Sequence, residues 1–384
     1  MNKIPYGRQY IDKLDSLIVN NSLKENLITT GKYVKRFEKK LSNFFKVKNV
    51  ITCNSGTAAL HLAFLAADLK KNDVVVMPAV NFISAFNMCR QIGAKIYLAD
   101  IDRRTGQMTP DLLLDCIKVN KIKKVKMILT MYMGGYPENV LKFYKIKKKF
   151  NCLLVEDACH ALGSEYRYNK KLIKVGSCKH SDISTFSLHP LKPITTGEGG
   201  LVTTNNDKLA RKIKNLRSHG IIKNPKFQWH YNIVQLGYNY RLSDINSALG
   251  ISQLKKIKPF LIHRKKIYDY YKFKLNSFKN IINFPDYNSK NNPSYHLVLI
   301  NIDFKKIKKK KDLFLKYLNN KNIICQFHYI PIYKFSLYKD KKINLNGSEE
   351  YYASTISIPI YHTLNTQKQN IVIKTIKNFF KDLK

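Results

Sequence analysis

In the stretch Ser187-Leu188-His189-Pro190-Leu191-Lys192-Pro193-Ile194-Thr195-Thr196-Gly197-Glu198-Gly199-Gly200, one lysine stands among apolar residues, prolines and glycines. Elsewhere this chain places its lysines where they read as exposed. An amine sheltered in this way titrates below its ordinary value and can add to a carbonyl carbon to form a Schiff base. Apolar runs at 183–187 and 200–204 flank the segment and read as strands. Lys192 is therefore expected in a connection between two strands of one sheet.

Working upstream, strands and helices alternate. Strands are predicted at 48–53, 73–77, 94–99, 125–131 and 152–156, with helices at 57–67, 82–92, 110–119 and 140–150 between them. Strands separated by helices of about ten residues imply parallel β-α-β units. Runs such as Val74-Val75-Val76-Met77 are apolar throughout, as in a sheet covered on both faces. Residues 1–45 form a lead-in with helical periodicity at 12–23 and 31–45, broken at Thr29-Thr30-Gly31. Downstream, helices are predicted at 208–218, 243–256 and 259–278. A smaller α+β pattern follows, with strands at 296–302 and 323–327 and helices at 311–319 and 367–383. The expected division is a large α/β domain over 1–250 and a small α+β domain over 251–384.

Two further motifs sit where such a sheet binds ligands. Asn54-Ser55-Gly56-Thr57 follows a strand and opens a helix. The free N–H groups there attract a phosphate, although ordinary helix capping also explains the serine. Val155-Glu156-Asp157-Ala158-Cys159-His160 closes an apolar strand. An acid at that edge can hold a protonated ring nitrogen, or simply cap a turn. A phosphate cradle with Ser187 nearby, a carboxylate and a sheltered amine together match what pyridoxal 5'-phosphate needs.

These motifs, together with Arg217-Ser218-His219-Gly220 and Gly237-Tyr238-Asn239-Tyr240-Arg241-Leu242, resemble the DegT/DnrJ/EryC1/StrS family of sugar aminotransferases over nearly the whole chain. The resemblance implies a fold type I pyridoxal-phosphate-dependent transferase, aspartate-aminotransferase-like. It implies that Lys192 carries the cofactor, Asp157 meets the ring nitrogen, His160 lies near the ring hydroxyl and Phe82 stacks on the ring. Ser55, Gly56, Thr57 and Ser187 would bind the phosphate. Asn239 would reach in from a neighbouring subunit, which makes the expected enzyme a homodimer with a shared site. Tyr6, His189, Arg241 and His328 are candidates for the substrate, and a structural salt bridge (Arg241) or core packing (the histidines) explains them as well.

Ile4–Gln9, His160–Tyr166 and Gln326–Tyr333 carry a narrower likeness, to members of the family that act in pseudaminic acid biosynthesis. The implied reaction moves an amino group from L-glutamate to C4 of a UDP-linked 4-keto-6-deoxy-N-acetylhexosamine. Thr29-Thr30-Gly31-Lys32 and Met133-Gly134-Gly135-Tyr136 depart from the common pattern and are expected near the sugar. Transaminases forming perosamine, bacillosamine-type or aminoarabinose products remain alternatives. A dehydratase on the same scaffold is disfavoured, because Lys192 is present and the cysteines are not clustered.

Composition argues against other classes. Lys and Arg total 68 against 26 Asp and Glu, a net charge of +42. Such a charge suggests a nucleic-acid partner, but only ten of the 68 are Arg, the residue that forks onto phosphate and guanine. The lysines are spread along the chain, and Ile and Asn are also abundant, so a biased genome explains the charge. No nucleic acid and no membrane partner are expected. The seven cysteines form no C-x-x-C pair, and neither a metal site nor a signal peptide is expected. A cytoplasmic enzyme is the resulting expectation.

Overall fold

The computed structural model describes residues 3–227, 229–338 and 343–381. In chain order its strands are β1 (Asn49–Cys53), β2 (Val74–Pro78), β3 (Lys95–Ala99), β4 (Met127–Met131), β5 (Leu153–Asp157), β6 (Glu165–Tyr168), β7 (Lys171–Lys174), β8 (Ile183–Ser187), β9 (Gly200–Thr204), β10 (Ile221–Lys223), β11 (Tyr231–Ile233), β12 (Ile282–Asn283), β13 (Val298–Ile302) and β14 (Thr355–Ile358). Seven of them form the main sheet, in the order β1-β9-β8-β5-β4-β2-β3. Every residue of β4 and β9 is buried, which is why these strands read as unbroken apolar or hydroxyl-bearing runs.

Strands β3, β2, β4, β5 and β8 pair in parallel, as β-α-β units require. Strand β9 departs from that pattern. It runs antiparallel to both β8 and β1. An antiparallel neighbour needs no crossover helix. Residues 188–199 between β8 and β9 are thus free to form a closed loop, which carries Lys192. Leu188 N–H donates to Gly199 O at 2.8 Å, Thr196 N–H to Leu188 O at 3.0 Å and Lys192 N–H to His189 O at 2.9 Å. Asn246 ties the same loop to the helix Asp244–Lys255 by donating to Thr196 O at 2.5 Å.

A second core gathers Ile267, Tyr271, Val298, Ile300, Phe314, Ile356 and Val372 around the sheet β12-β13-β14. Helices Ile257–Leu275, Lys311–Asn320 and Thr366–Lys381 cover it. The strand expected at 323–327 is reduced to isolated bridges, Ile4 with Ile323 and Gln326 with Ser357. Strand β14, unseen in the sequence, pairs with β13 instead. The last helix was predicted to reach 383; residues 382–384 lie outside the described residues. Position 250 lies inside the helix Asp244–Lys255.

The helix Lys32–Phe45 begins at Gly31, which has no side chain to cap it. Asp244 supplies the acceptor from 213 residues away. Its carboxylate takes N–H groups from Gly31 (2.9 Å), Tyr33 (3.2 Å) and Val34 (2.9 Å). This corrects the expectation for Thr29–Lys32: the turn is tied to Asp244 and does not line the cleft described next.

Candidate active site

The strand order brings the carboxyl ends of β1, β2, β4, β5 and β8 to one edge, where open α/β sheets bind ligands. A cleft of about 490 Å³ opens there. It is lined by Ser55, Gly56, Thr57, Phe82, Asp157, His160, Ser187, His189 and Lys192, which the sequence reading selected, together with Tyr6 and His328. Segments as far apart in the chain as Tyr6 and His328 thus meet in one place. Asn239 and Arg241 do not line it. Asn239 is exposed, and its carbonyl accepts from Asn54 Nδ2 at 3.4 Å, just outside the cradle.

The cradle follows from helix geometry. Ser55 caps the helix Gly56–Ala66, its Oγ accepting Ala58 N–H at 3.0 Å. The N–H groups of Gly56 and Thr57 have no intrahelical acceptor. A Cβ at Gly56 would come within 2.9 Å of Ser187 Cβ and 3.4 Å of Cys159 Sγ, so a side chain there would fill the cradle. Thr57 Oγ1 contacts Ser84 Oγ at 3.1 Å.

At the opposite end Asp157 is 2% exposed. Its carboxylate accepts Cys159 N–H at 3.2 Å and Asn81 Nδ2 at 3.3 Å. Burial raises its pKa; the bonds from Cys159 and Asn81 and the charge of Lys192 partly offset the rise. Burial also lowers the Lys192 pKa, with Cys159 and Asp157 opposing it. Burial therefore pushes both groups towards neutrality, and the charge of each on the other opposes it.

His160 is 1% exposed. Its Nδ1 accepts Gly134 N–H at 3.4 Å, and its Nε2 lies 2.9 Å from Tyr329 Oη. With Nδ1 as acceptor, the neutral ring carries its hydrogen on Nε2 and donates to Tyr329. The Tyr329 hydroxyl hydrogen is then free to point into the cleft. Phe82 is 53% exposed and lies 5.6 Å from the Tyr329 ring. His328 is buried, bonded through Nδ1 to Ser357 Oγ at 2.8 Å, and burial pushes its pKa down to about 3.

Among the cleft residues that the sequence reading did not single out are Asn81, Cys159, His296 and Tyr329. Asn81 is one residue before Phe82, and Tyr329 and Cys159 lie inside quoted motifs, so local signals existed for them. His296 offered none beyond being a histidine at the start of a predicted strand. Met133–Tyr136 also departs from expectation. The segment is buried, and its backbone grips residues 294–297 rather than framing a sugar. A larger depression of about 880 Å³, beside Arg103, Lys272 and Glu350, brings together no comparable set of amine, acid and cradle.

The residues fit pyridoxal phosphate. Free N–H groups and hydroxyls suit a phosphate dianion, a buried carboxylate suits a ring nitrogen, and an amine suits an aldehyde. Comparison with known proteins agrees. A chain of Campylobacter jejuni subsp. jejuni serotype O:23/36 (strain 81-176), a UDP-4-amino-4,6-dideoxy-N-acetyl-beta-L-altrosamine transaminase, is 36% identical over 385 residues, covering 99% of this chain and 98% of the relative. The GDP-perosamine synthase of Escherichia coli O157:H7 is 27% identical and covers 100% of both chains. The structure of Helicobacter pylori PseC, an aminotransferase involved in the biosynthesis of pseudoaminic acid, superposes with a TM-score of 0.90 at 30% identity, covering 99% of this chain and 100% of that one. The DegT/DnrJ/EryC1/StrS aminotransferase family model matches residues 9–377. With that match laid over a cleft built for pyridoxal phosphate, the chain belongs to the DegT/DnrJ/EryC1/StrS aminotransferase family and is one of its pyridoxal-phosphate enzymes.

Proposed function

We propose that this enzyme transfers the amino group of L-glutamate to C4 of a UDP-linked 4-keto-6-deoxy-N-acetylhexosamine, giving UDP-4-amino-4,6-dideoxy-N-acetyl-beta-L-altrosamine. The observation that carries the reading is the convergence of Lys192, Asp157 and the Ser55–Thr57 cradle in one cleft. The 36% identity to a transaminase of that name supports the choice of sugar.

Pyridoxal phosphate, when bound, supplies an electron-withdrawing ring that disperses the charge left as a Cα proton departs. Lys192 would hold the group between turnovers. Once displaced by the donor, its neutral amine would take the proton from glutamate Cα and hand it to the cofactor; in the second half it would take a proton back from the cofactor and deliver it to C4 of the sugar. Asp157 keeps a proton on the ring nitrogen. Ser55, Gly56, Thr57 and Ser187 hold the phosphate and so fix the ring's position relative to Lys192. Phe82 would lie against the ring, and His160, through Tyr329, would order the wall beside its hydroxyl. Tyr6, His189 and His328 stand around the cleft to meet the sugar diphosphate. Arg241, outside the cleft of its own chain, has no such part there.

We infer a homodimer. The hairpin β10–β11 and the segment after it expose Ile222 (47%), Trp229 (81%), Tyr231 (56%), Ile233 (59%) and Leu236 (89%). An apolar surface of this kind marks an interface. Asn239 lies just beyond it, and in a dimer built on this surface it would serve the partner's cradle. Leu236→Asp is expected to give monomers in sedimentation analysis, with weakened cofactor retention; a dimer unchanged by this variant counts against the reading. Among the described residues no helix is long and apolar enough to cross a membrane, and we place the enzyme in the cytoplasm.

The test of the substrate uses the purified protein, pyridoxal phosphate and [15N]glutamate. The UDP-linked 4-keto sugar is expected to gain the label, as read by mass spectrometry. Faster labelling of a GDP-linked 4-keto-6-deoxyhexose would move the assignment to the perosamine type.

A further inference from the structure

We propose that His296 is the positioning residue for the Lys192 amine: its Nε2, 3.4 Å from Lys192 Nζ, accepts a hydrogen bond from the ammonium and aims the nitrogen into the cleft. The proposal rests on the reading of Lys192 as the amine that carries the cofactor.

His296 reaches the cleft from just ahead of β13, a strand of the molecule's second core. A clasp delivers it. After β4 the chain turns through Gly134 and Gly135, both at positive φ (68° and 91°). Gly134 O accepts His296 N–H at 2.9 Å, and Gly135 O accepts Ser294 N–H at 3.2 Å and Ser164 Oγ at 2.7 Å. Ser294 Oγ donates to His160 O at 2.7 Å. A Cβ on Gly135 would fall 2.0 Å from Ser294 Oγ and 2.6 Å from His160 O, so only glycine lets the two segments close. From behind, Arg264 Nη1 donates to the carbonyls of Tyr295 and His296, each at 3.3 Å. The His296 ring packs on that of His160, with centroids 4.3 Å apart.

A packing role does not account for an imidazole here. Nδ1 of His296 is buried and has no hydrogen-bond partner among the described residues. A polar atom left so is costly, and an apolar side chain of similar size would avoid the cost. The partner that His296 does have is the amine. Burial, and then Lys192 itself, hold the ring neutral, so Nε2 is available as an acceptor. The other groups facing the amine are Asp157, Cys159, His160, His189, Arg264 and His328. Among the described residues only His296 is within hydrogen-bond distance of Nζ.

The test compares the full-length protein, cleared of cofactor, as wild type, His296→Gln and His296→Leu. Trace acetylation across pH, read at the Lys192 peptide by mass spectrometry, gives the midpoint at which the amine becomes reactive. Removing an acceptor destabilises the ammonium, so His296→Leu is expected to lower that midpoint by about one pH unit. Gln, whose side-chain amide can reach the same place, is expected to restore it. The thermal midpoint of the Leu variant is expected to equal or exceed that of wild type. An unchanged or raised Lys192 midpoint in a folded Leu variant overturns the proposal, as does a Leu variant less stable than wild type with no change at Lys192. If the Leu variant does not fold, His296→Asn, too short to reach Nζ, takes its place with the same expectation. Failure of the underlying reading appears elsewhere, as protein-linked cofactor absorbance that survives Lys192→Ala.

Discussion

The two walls of the cleft are built by different means. One wall is the carboxyl edge of the main sheet: Ser55–Thr57 after β1, Asp157 at the end of β5, and Ser187 and Lys192 at and after the end of β8. Each residue lies on or within a few positions of a buried strand. The other wall comes from the second core: His296 before β13, and His328 and Tyr329 beside β14. These are brought in by the Gly134–Gly135 clasp and by a bridge between Gln326 and Ser357. On the proposed function, the first wall would supply the amine, the acid and the donors for the cofactor. The second supplies two neutral imidazoles and a phenol, and a hydrogen-bonded run from Gly134 N–H through His160 to Tyr329 joins it to the first. The sheet edge fixes where the chemistry occurs, and the second wall tunes and encloses it.

The pH response should be the largest effect. His296 and His328 of the second wall, and His160 where the two walls meet, are buried and held below the ordinary imidazole value of 6.5. The unfolded chain protonates there first. Stability is therefore present above that value and lost as pH falls, in a window reaching down to about 3 for His328. With three such groups the slope approaches about 4 kcal/mol per pH unit. Asp157 acts with the opposite sign. Its raised value means that its contribution is present below its ordinary value of 3.8 and lost as pH rises through the folded value. Unfolding of the cofactor-free protein in urea at successive pH values measures this. A flat profile between neutrality and the acid range would mean the second wall is not dry.

Asp157→Asn strikes the first wall. It is expected to reduce kcat on the order of 10²-fold, about 2.7 kcal/mol, with the fold intact. Gly135→Ala strikes the clasp and is expected to destabilise by about 2 kcal/mol, since its Cβ overlaps Ser294 and His160. Stopped-flow traces and urea midpoints would show whether the clasp also lowers kcat. Tyr329→Phe is expected to cost about 1 kcal/mol of transition-state stabilisation, a several-fold loss of kcat/KM. A loss as large as that of Asp157→Asn would mean the walls are not divided as described.

What the sequence revealed follows the same division. The first wall was legible because a strand end, a glycine and a cap lie within a few residues of one another. The main sheet was legible as well, since its strands are apolar on both faces. The antiparallel turn of β9 was not, because strand direction leaves no mark on a five-residue apolar run. Strand β14 was missed because Thr355-Ile356-Ser357-Ile358 is short and directly follows a helix. His296 was missed because its role comes from a hydrogen bond to a residue 104 positions away. Met133–Tyr136 and Thr29–Lys32 were expected near the sugar, but their glycines serve the clasp and the Asp244 cap.

The central claim is that Lys192 carries pyridoxal phosphate and hands protons through it. Absorbance of the purified protein with the cofactor, before and after L-glutamate, tests it most directly in wild type and Lys192→Ala. The account predicts a visible band from the protein-linked cofactor that glutamate shifts to shorter wavelength, restored by the 4-keto sugar, and no such band in the variant. A wild-type protein without the band, or a variant that keeps it, would contradict the account.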